Sequence, residues 1–228
     1  MTPKQFTATI TEKHMLTPHV IHFVFHTADP SFSFTAGQYG TFIIDEANRR
    51  AYSFCGAPNN MGTFEIVIDT TPMGVGSKYF SVAKVGDAVT VLAPLGTFTL
   101  IDSKRKKVCI ATGTGVAPFR SMIQSSISHV QMSLYWGLRH EEDMYWQDVF
   151  ASLVQAHPSF SFYQILSQPS ATWKGVTGHV TEHVIEREKD IVNTEFYLCG
   201  NSAMIGEVEQ KLLSVGVLSE QIKKDLFY

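Results

Sequence analysis

The chain has 228 residues, a formal charge of −3 and 44% hydrophobic residues, enough for one large or two small domains with real cores. The slightly acidic balance gives no reason to expect a nucleic acid or an anionic membrane as partner. The three cysteines, Cys55, Cys109 and Cys199, form no C-x-x-C pair. Structural zinc and a plant-type iron–sulfur loop are therefore not expected, and the sparse odd number fits a reducing compartment. With no apolar run of about 20 residues to span a bilayer and no signal-like start, the expectation is a soluble, cytoplasmic protein.

Taken in order, the first hundred residues read as β. Short alternating or β-branched runs at 6–11, 20–27, 40–45, 49–56, 63–69, 89–93 and 97–100 are separated by turn signals such as Asp29-Pro30, Val85-Gly86-Asp87 and Pro94-Leu95-Gly96. Only 76–83 reads as helix. Many short strands with turns between them suggest a barrel or sandwich, and a six-stranded antiparallel barrel fits. The run 102–107 follows as a linker whose four successive cations, Lys104 to Lys107, are either a solvated turn ahead of a buried strand or a dock for an acidic partner. Beyond it, strands at 108–112, 131–137, 160–166 and 194–199 alternate with helices at 116–128, 143–157, 180–188 and 202–215. That alternation predicts an α/β domain with a parallel sheet covered on both faces. The expected division is 1–102 and 103–228.

Four stretches carry chemistry-bearing residues. In Arg50-Ala51-Tyr52-Ser53, a period of two puts Arg50 and Tyr52 on one face of a strand, a charged fork for phosphate beside a flat surface for a planar ring. Alone, the same residues describe an ordinary half-buried strand with an exposed arginine. Gly74-Val75-Gly76-Ser77 leads into the one helix of the first half, with Ser77 as a natural N-cap. It is a buried polar cap or a site for a pyrophosphate. Thr112-Gly113-Thr114-Gly115-Val116-Ala117-Pro118 closes a buried strand and opens a helix. Its glycines let backbone approach a phosphate, though the G-x-G-x-x-G fingerprint is missing. Cys199-Gly200-Asn201-Ser202-Ala203-Met204 leaves another strand at the carboxyl edge of the same sheet, where open α/β sheets hold their ligands. His14, His19, His22 and His26 cluster in the first strands, and His179 and His183 stand four apart. No third ligand is apparent for either set, so structural or surface roles are expected and no metal.

The order R-x-Y-S at 50–53, G-x-x-S at 74–77, G-T-G-x-A-P at 113–118 and Y-L-C-G-N-x-x-M at 197–204 resembles the ferredoxin–NADP reductase superfamily over essentially the whole chain. The resemblance implies an antiparallel barrel that binds FAD, followed by an α/β domain that binds NAD(P)H. It implies that Arg50 pairs with the FAD pyrophosphate, that Ala51 and Tyr52 lie along the flavin, and that Ser53 sits where hydride arrives. Val67 and Ile68 then belong to the strand beside the flavin, and Gly74, Val75, Gly76 and Ser77 to the pyrophosphate-binding helix start. Thr112, Gly113, Thr114, Gly115 and Pro118 cradle the dinucleotide. Cys199 lies near the nicotinamide, with Gly200, Asn201 and Met204 near its ribose and phosphates. The tail, Asp225-Leu226-Phe227-Tyr228, places Phe227 or Tyr228 over the flavin. Ser53, Cys199 and Tyr228 are the residues that would touch the reacting rings.

NADP-specific members tend to carry arginine after the serine that ends the third α/β strand, and here the pair is Ser167-Gln168. Arg139, after the second strand, is the alternative reader of a 2′-phosphate, so the preference between NADH and NADPH stays open. The implied activity is hydride transfer to bound FAD, then electron release to a separate carrier such as a ferredoxin or flavodoxin. A free-flavin reductase and a non-catalytic docking subunit are the other readings.

Overall fold

The computed structural model of the protein describes residues 2–59 and 61–226. Two compact units emerge: Met1–Leu100 with Arg120–Ser125, and Ile101–Phe119 with Ser126–Tyr228.

The first unit is an antiparallel six-stranded sheet curled into a nearly closed barrel. Its strands are β1 (Lys4–Met15), β2 (Val20–His26), β3 (Tyr39–Ile43), β4 (Arg49–Ser53), β5 (Thr63–Asp69) and β6 (Ala88–Leu95), in the order β4-β3-β6-β1-β2-β5. The two end strands approach where the Cys55 amide donates to the Glu65 carbonyl at 2.9 Å. Strand alternation fills the interior. In β2, Ile21, Phe23 and Phe25 point inward and are at most 2% exposed, while His22, Val24 and His26 face out. The core is aromatic: Phe23, Phe25, Phe42, Phe54, Phe64 and Phe80 are enclosed, and the Phe25 and Phe64 rings stack at 5.2 Å. Offset and edge-on ring contacts of this kind add to the burial energy. Phe80 comes from helix α1 (Val75–Val82), which plugs this core. The segment 97–100, expected as a strand, pairs with nothing in the sheet.

The second unit is a parallel sheet of β7 (Lys106–Thr112), β8 (Met132–Leu138), β9 (Phe160–Leu166), β10 (Val176–Thr177), β11 (Thr194–Gly200) and β12 (Ile222–Leu226). The order is β10-β9-β8-β7-β11-β12. Helices α2 (Val116–Ser126), α3 (Gln147–Ala156), α4 (Val180–Arg187) and α5 (Ser202–Ser214) connect the strands. The two edge strands β10 and β12 escape the sequence reading because one is two residues long and the other, IKKDL, carries three charges in five residues. Helix α3 starts later than expected, at Gln147, after Trp146 turns the chain with φ 60°.

The cation run resolves differently from both sequence alternatives. Lys106 and Lys107 already belong to β7. Lys106 pairs with Glu188 at 2.7 Å, and Lys107, 1% exposed, pairs with Glu195 at 2.6 Å. Ser103 and Tyr197 also donate to Glu195, so this buried carboxylate is fully satisfied. Only Lys104 and Arg105 remain exposed. Among the described residues, no helix is long and apolar enough to cross a membrane.

Candidate functional site

In the barrel unit the site residues gather around the end strand β4 and the start of α1. Arg50 and Ala51 are exposed and Tyr52 is half-buried, while Ser53 is enclosed at the end of the strand, opposite Tyr39. The Tyr52 ring is braced from beneath by two core rings, edge-on to Phe42 at 5.5 Å and to Phe80 at 5.4 Å. Burial pushes its phenol up to about 12, with Arg50 pulling the other way, so the hydroxyl stays protonated at neutral pH.

Helix α1 meets this face closely. A Cβ on Gly76 would run into the Tyr52 hydroxyl and stand 3.0 Å from the Arg50 Cγ, so glycine is what allows helix and strand side chains to touch. The helix N-cap is Gly74 rather than Ser77, and it brings no side-chain cap. The Ser77 hydroxyl donates instead to the Asp69 carbonyl at 3.2 Å, tying α1 to β5. No carboxylate lies in the first turn of α1, and the space around Gly74 is open. Backbone N–H groups at an uncapped helix start, beside a guanidinium, fit a diphosphate. Val75 is half-buried at that start. Val67 and Ile68 of β5 are both buried.

In the α/β unit the site residues lie at the carboxyl ends of β7, β8, β9 and β11. A 3-10 turn, Gly113–Gly115, links β7 to α2, and no side chain caps it. Gly113 has φ +55° and open space around it. The indole of Trp136 donates to its carbonyl at 2.9 Å and fixes the turn. Trp136 lies in an apolar strand and reads as ordinary core; nothing in the sequence marks that bond.

Gly115 and Gly200 make the backbones meet. A Cβ on Gly115 would strike the Cys199 carbonyl, and one on Gly200, at φ +132°, would strike Thr112. The Thr112 hydroxyl accepts the Asn201 amide at 2.9 Å, which locks the β7 and β11 ends together. Asn201 is the N-cap of α5: its side-chain oxygen accepts from Ala203 at 2.8 Å and Met204 at 3.4 Å. Thr114 is half-buried, whereas Pro118 is buried and Met204 packs into the core.

The Cys199 thiol is 0% exposed. Burial, then the charge of Asp225, pushes it well above the ordinary thiol range, so it is neutral. Burial likewise raises the Asp225 carboxyl.

Arg139 is exposed at the end of β8, and its carbonyl accepts the Gln168 amide at 2.9 Å, which places it beside the Ser167-Gln168 turn. Ser167 is held there by its own amide, which donates to the Leu138 carbonyl at 3.0 Å. Glu141, the nearby carboxylate, is already engaged by the amide and hydroxyl of Ser170, and those bonds lower its pKa. Phe227 and Tyr228 lie outside the described residues.

Comparison with known proteins follows the same division. A family model described as the oxidoreductase FAD-binding domain matches residues 7–100, and one described as the oxidoreductase NAD-binding domain matches residues 109–210. The chain is 33% identical over 208 residues to the xylene/toluene monooxygenase electron transfer component XylA of Pseudomonas putida, covering 88% of this chain and 59% of that protein. It is 30% identical over 198 residues to the CDP-6-deoxy-L-threo-D-glycero-4-hexulose-3-dehydrase reductase of Yersinia pestis, covering 85% and 60%. With ferredoxin–NADP reductase B of Sorangium cellulosum it shares 28% identity over 90% of both chains. The crystal structure of the Amycolatopsis cytochrome P450 reductase GcoB superposes with a TM-score of 0.92 at 26% identity, covering 99% of this chain and 70% of that one. The chain thus spans about 60% of the length of the first two curated relatives.

Proposed function

The chain belongs to the ferredoxin–NADP reductase superfamily and is an FAD-dependent oxidoreductase, and on that premise we propose that it accepts hydride from NAD(P)H and passes the electrons to a separate carrier. The observation that carries this reading is the meeting of Arg50, Tyr52 and Gly76 at the uncapped start of α1, a place shaped for a diphosphate with a ring beside it.

In this reading, residues 1–102 hold the flavin and 103–228 the dinucleotide. Arg50 and the amides of Gly74 to Ser77 bind the FAD diphosphate, and Tyr52, stiffened by Phe42 and Phe80, presents its ring to the flavin. Ser53 offers its hydroxyl at the end of the same strand. Thr112 to Gly115 receive the dinucleotide phosphates, and Gly200 admits the nicotinamide end close to backbone. The enclosed Cys199 shapes that floor as a neutral thiol, and Asn201 holds the start of α5. Arg139 and Ser167 flank the adenosine end. Glu141 beside that end already accepts from Ser170, and Arg139 is the residue proposed to read a 2′-phosphate if one is present. Bound FAD supplies the chemistry: it takes electrons as a hydride pair and releases them singly. Orientation and electrostatics are the protein's part.

The three cysteines are buried and free, which supports a reducing, cytoplasmic setting and leaves no ligand set here for an iron–sulfur centre. The acceptor is therefore a carrier such as a ferredoxin or flavodoxin, as a separate protein or domain. The test is the flavin content of the purified protein. Stoichiometric FAD released on denaturation is expected, whereas a colourless protein that reduces added flavin would establish the free-flavin reductase reading instead.

A further inference from the structure

The outer face of the barrel gathers a donor set that its sequence spacing hides. His22 on β2 lies opposite Val67 on β5, and Val24 lies opposite Glu65, so His22 and Glu65 are diagonal neighbours on one face of the sheet. Cys55 joins them because its amide pairs with the Glu65 carbonyl just beyond the end of β4. The imidazole nitrogen, the thiol sulfur and a carboxylate oxygen of these three residues all lie within 4.8 Å of one another. Cys55 is fully buried, and the side chains of His22 and Glu65 are 12% and 28% exposed, so the cluster opens to solvent on its carboxylate side. His14, His22 and His26 of β1 and β2, with His19 in the turn between them, looked short of a third ligand; two further donors arrive here from β5 and the segment after β4.

We infer that His22, Cys55 and Glu65 form a binding site for Zn²⁺. One imidazole, one thiolate and one carboxylate are the donors this ion takes in tetrahedral sites, with water in the fourth position. Donors on such an ion stand about 3.5 Å apart, which side-chain adjustments of about 1 Å reach from the present arrangement.

Coordination forms a Zn–S bond as the Cys55 S–H proton leaves to solvent, and any proton on His22 Nε2 leaves with it. The resulting Zn²⁺, thiolate, carboxylate and neutral imidazole sum to zero charge, so a half-buried position is tolerable for the complex. The present competitors are visible. Glu65 accepts from Arg120 at 2.7 Å and is 2.9 Å from His22 Nε2, while His14, itself 2.8 Å from Glu12, stacks on His22 at 5.9 Å. Arg120 also donates to the Cys55 carbonyl at 2.8 Å. Zinc thus displaces the Arg120 guanidinium from Glu65.

The test titrates the purified flavin-bearing protein with ZnCl₂ against a chromophoric chelator and records zinc-edge X-ray absorption on the complex. One sulfur near about 2.3 Å and nitrogen or oxygen near about 2.0 Å are expected in the shell. Cys55→Ser and His22→Gln should each weaken binding at least about tenfold, on the scale seen when a zinc site loses supporting groups. Arg120→Gln should tighten it. A sulfur-free shell, or equal zinc affinity in the wild type and His22→Gln, overturns the inference. The absorption spectrum and His22→Gln decide the matter even where Cys55→Ser does not fold.

Discussion

The two regions proposed to hold nucleotides are built on opposite principles. In the barrel, the site is made of side chains that stand out from an end strand: Arg50 is exposed, Tyr52 leans on Phe42 and Phe80, and Gly76 gives way to both. In the α/β unit, the site is made by leaving side chains out. Gly115 and Gly200 let the ends of β7 and β11 touch backbone to backbone, and Thr112 and Asn201 pin the contact. The first design separates ligand binding from folding, since an exposed side chain can go without disturbing the core. The second fuses them, because the surface proposed to receive phosphate is also the seam of the sheet.

Substitutions tell the two designs apart. The largest effect is expected at the seam. Gly115→Ala pushes a methyl group into the Cys199 carbonyl, which cannot move without shifting β11, so the protein should lose about 3 kcal/mol of stability by overpacking. Thermal unfolding with and without NADH checks it; an unchanged melting temperature would refute the seam. Arg50→Ala, in contrast, should weaken flavin binding about ten- to a hundredfold, the scale of losing a charge-assisted bond of about 1.5–3 kcal/mol, and leave the flavin-free protein as stable as the wild type. Flavin titration of the stripped protein separates the two quantities. Gly76→Ala lies between them: its methyl group meets side chains rather than backbone, so flavin affinity should fall more than stability does.

A smaller effect comes from charge. Burial acts to raise the Glu65 pKa, but the bonds to His22 and Arg120 more than offset it and hold the carboxyl at about 2. A depressed carboxylate stabilises the folded state above its unfolded pKa, and this stability is lost as pH falls from about 4.5 toward about 2, by about 2 kcal/mol. Urea midpoints at the two ends of that window should show the loss in the wild type and a shallower slope in Glu65→Gln. The smallest change concerns specificity. Arg139→Ala should raise the KM for NADPH about tenfold and barely alter that for NADH; equal effects on both would remove Arg139 from the phosphate.

The barrel and the parallel sheet were legible in the sequence because their patterns are local. Strand alternation marked β2 and β5, and β-then-α rhythm marked β7 to α5. Edge strands β10 and β12 were not, since a strand of two residues or one rich in lysine carries little apolar signal. In the site, the glycine motifs marked where backbone could be approached closely, but not which group would cap the helix. Ser77 read as a cap, yet Gly74 takes that position because the Ser77 hydroxyl finds the Asp69 carbonyl eight residues back. Trp136, the salt bridges of Lys106 and Lys107, and the tether of Glu141 to Ser170 all depend on partners at least 23 residues away, which periodicity cannot pair.

The two regions are proposed to serve one hydride transfer. Anaerobic stopped-flow mixing of the purified, flavin-bearing protein with NADH and with NADPH tests it most directly. Rapid bleaching of the visible flavin band is expected with at least one of them, slowed by Gly115→Ala. Tight binding of both nucleotides with no bleaching by either would contradict it.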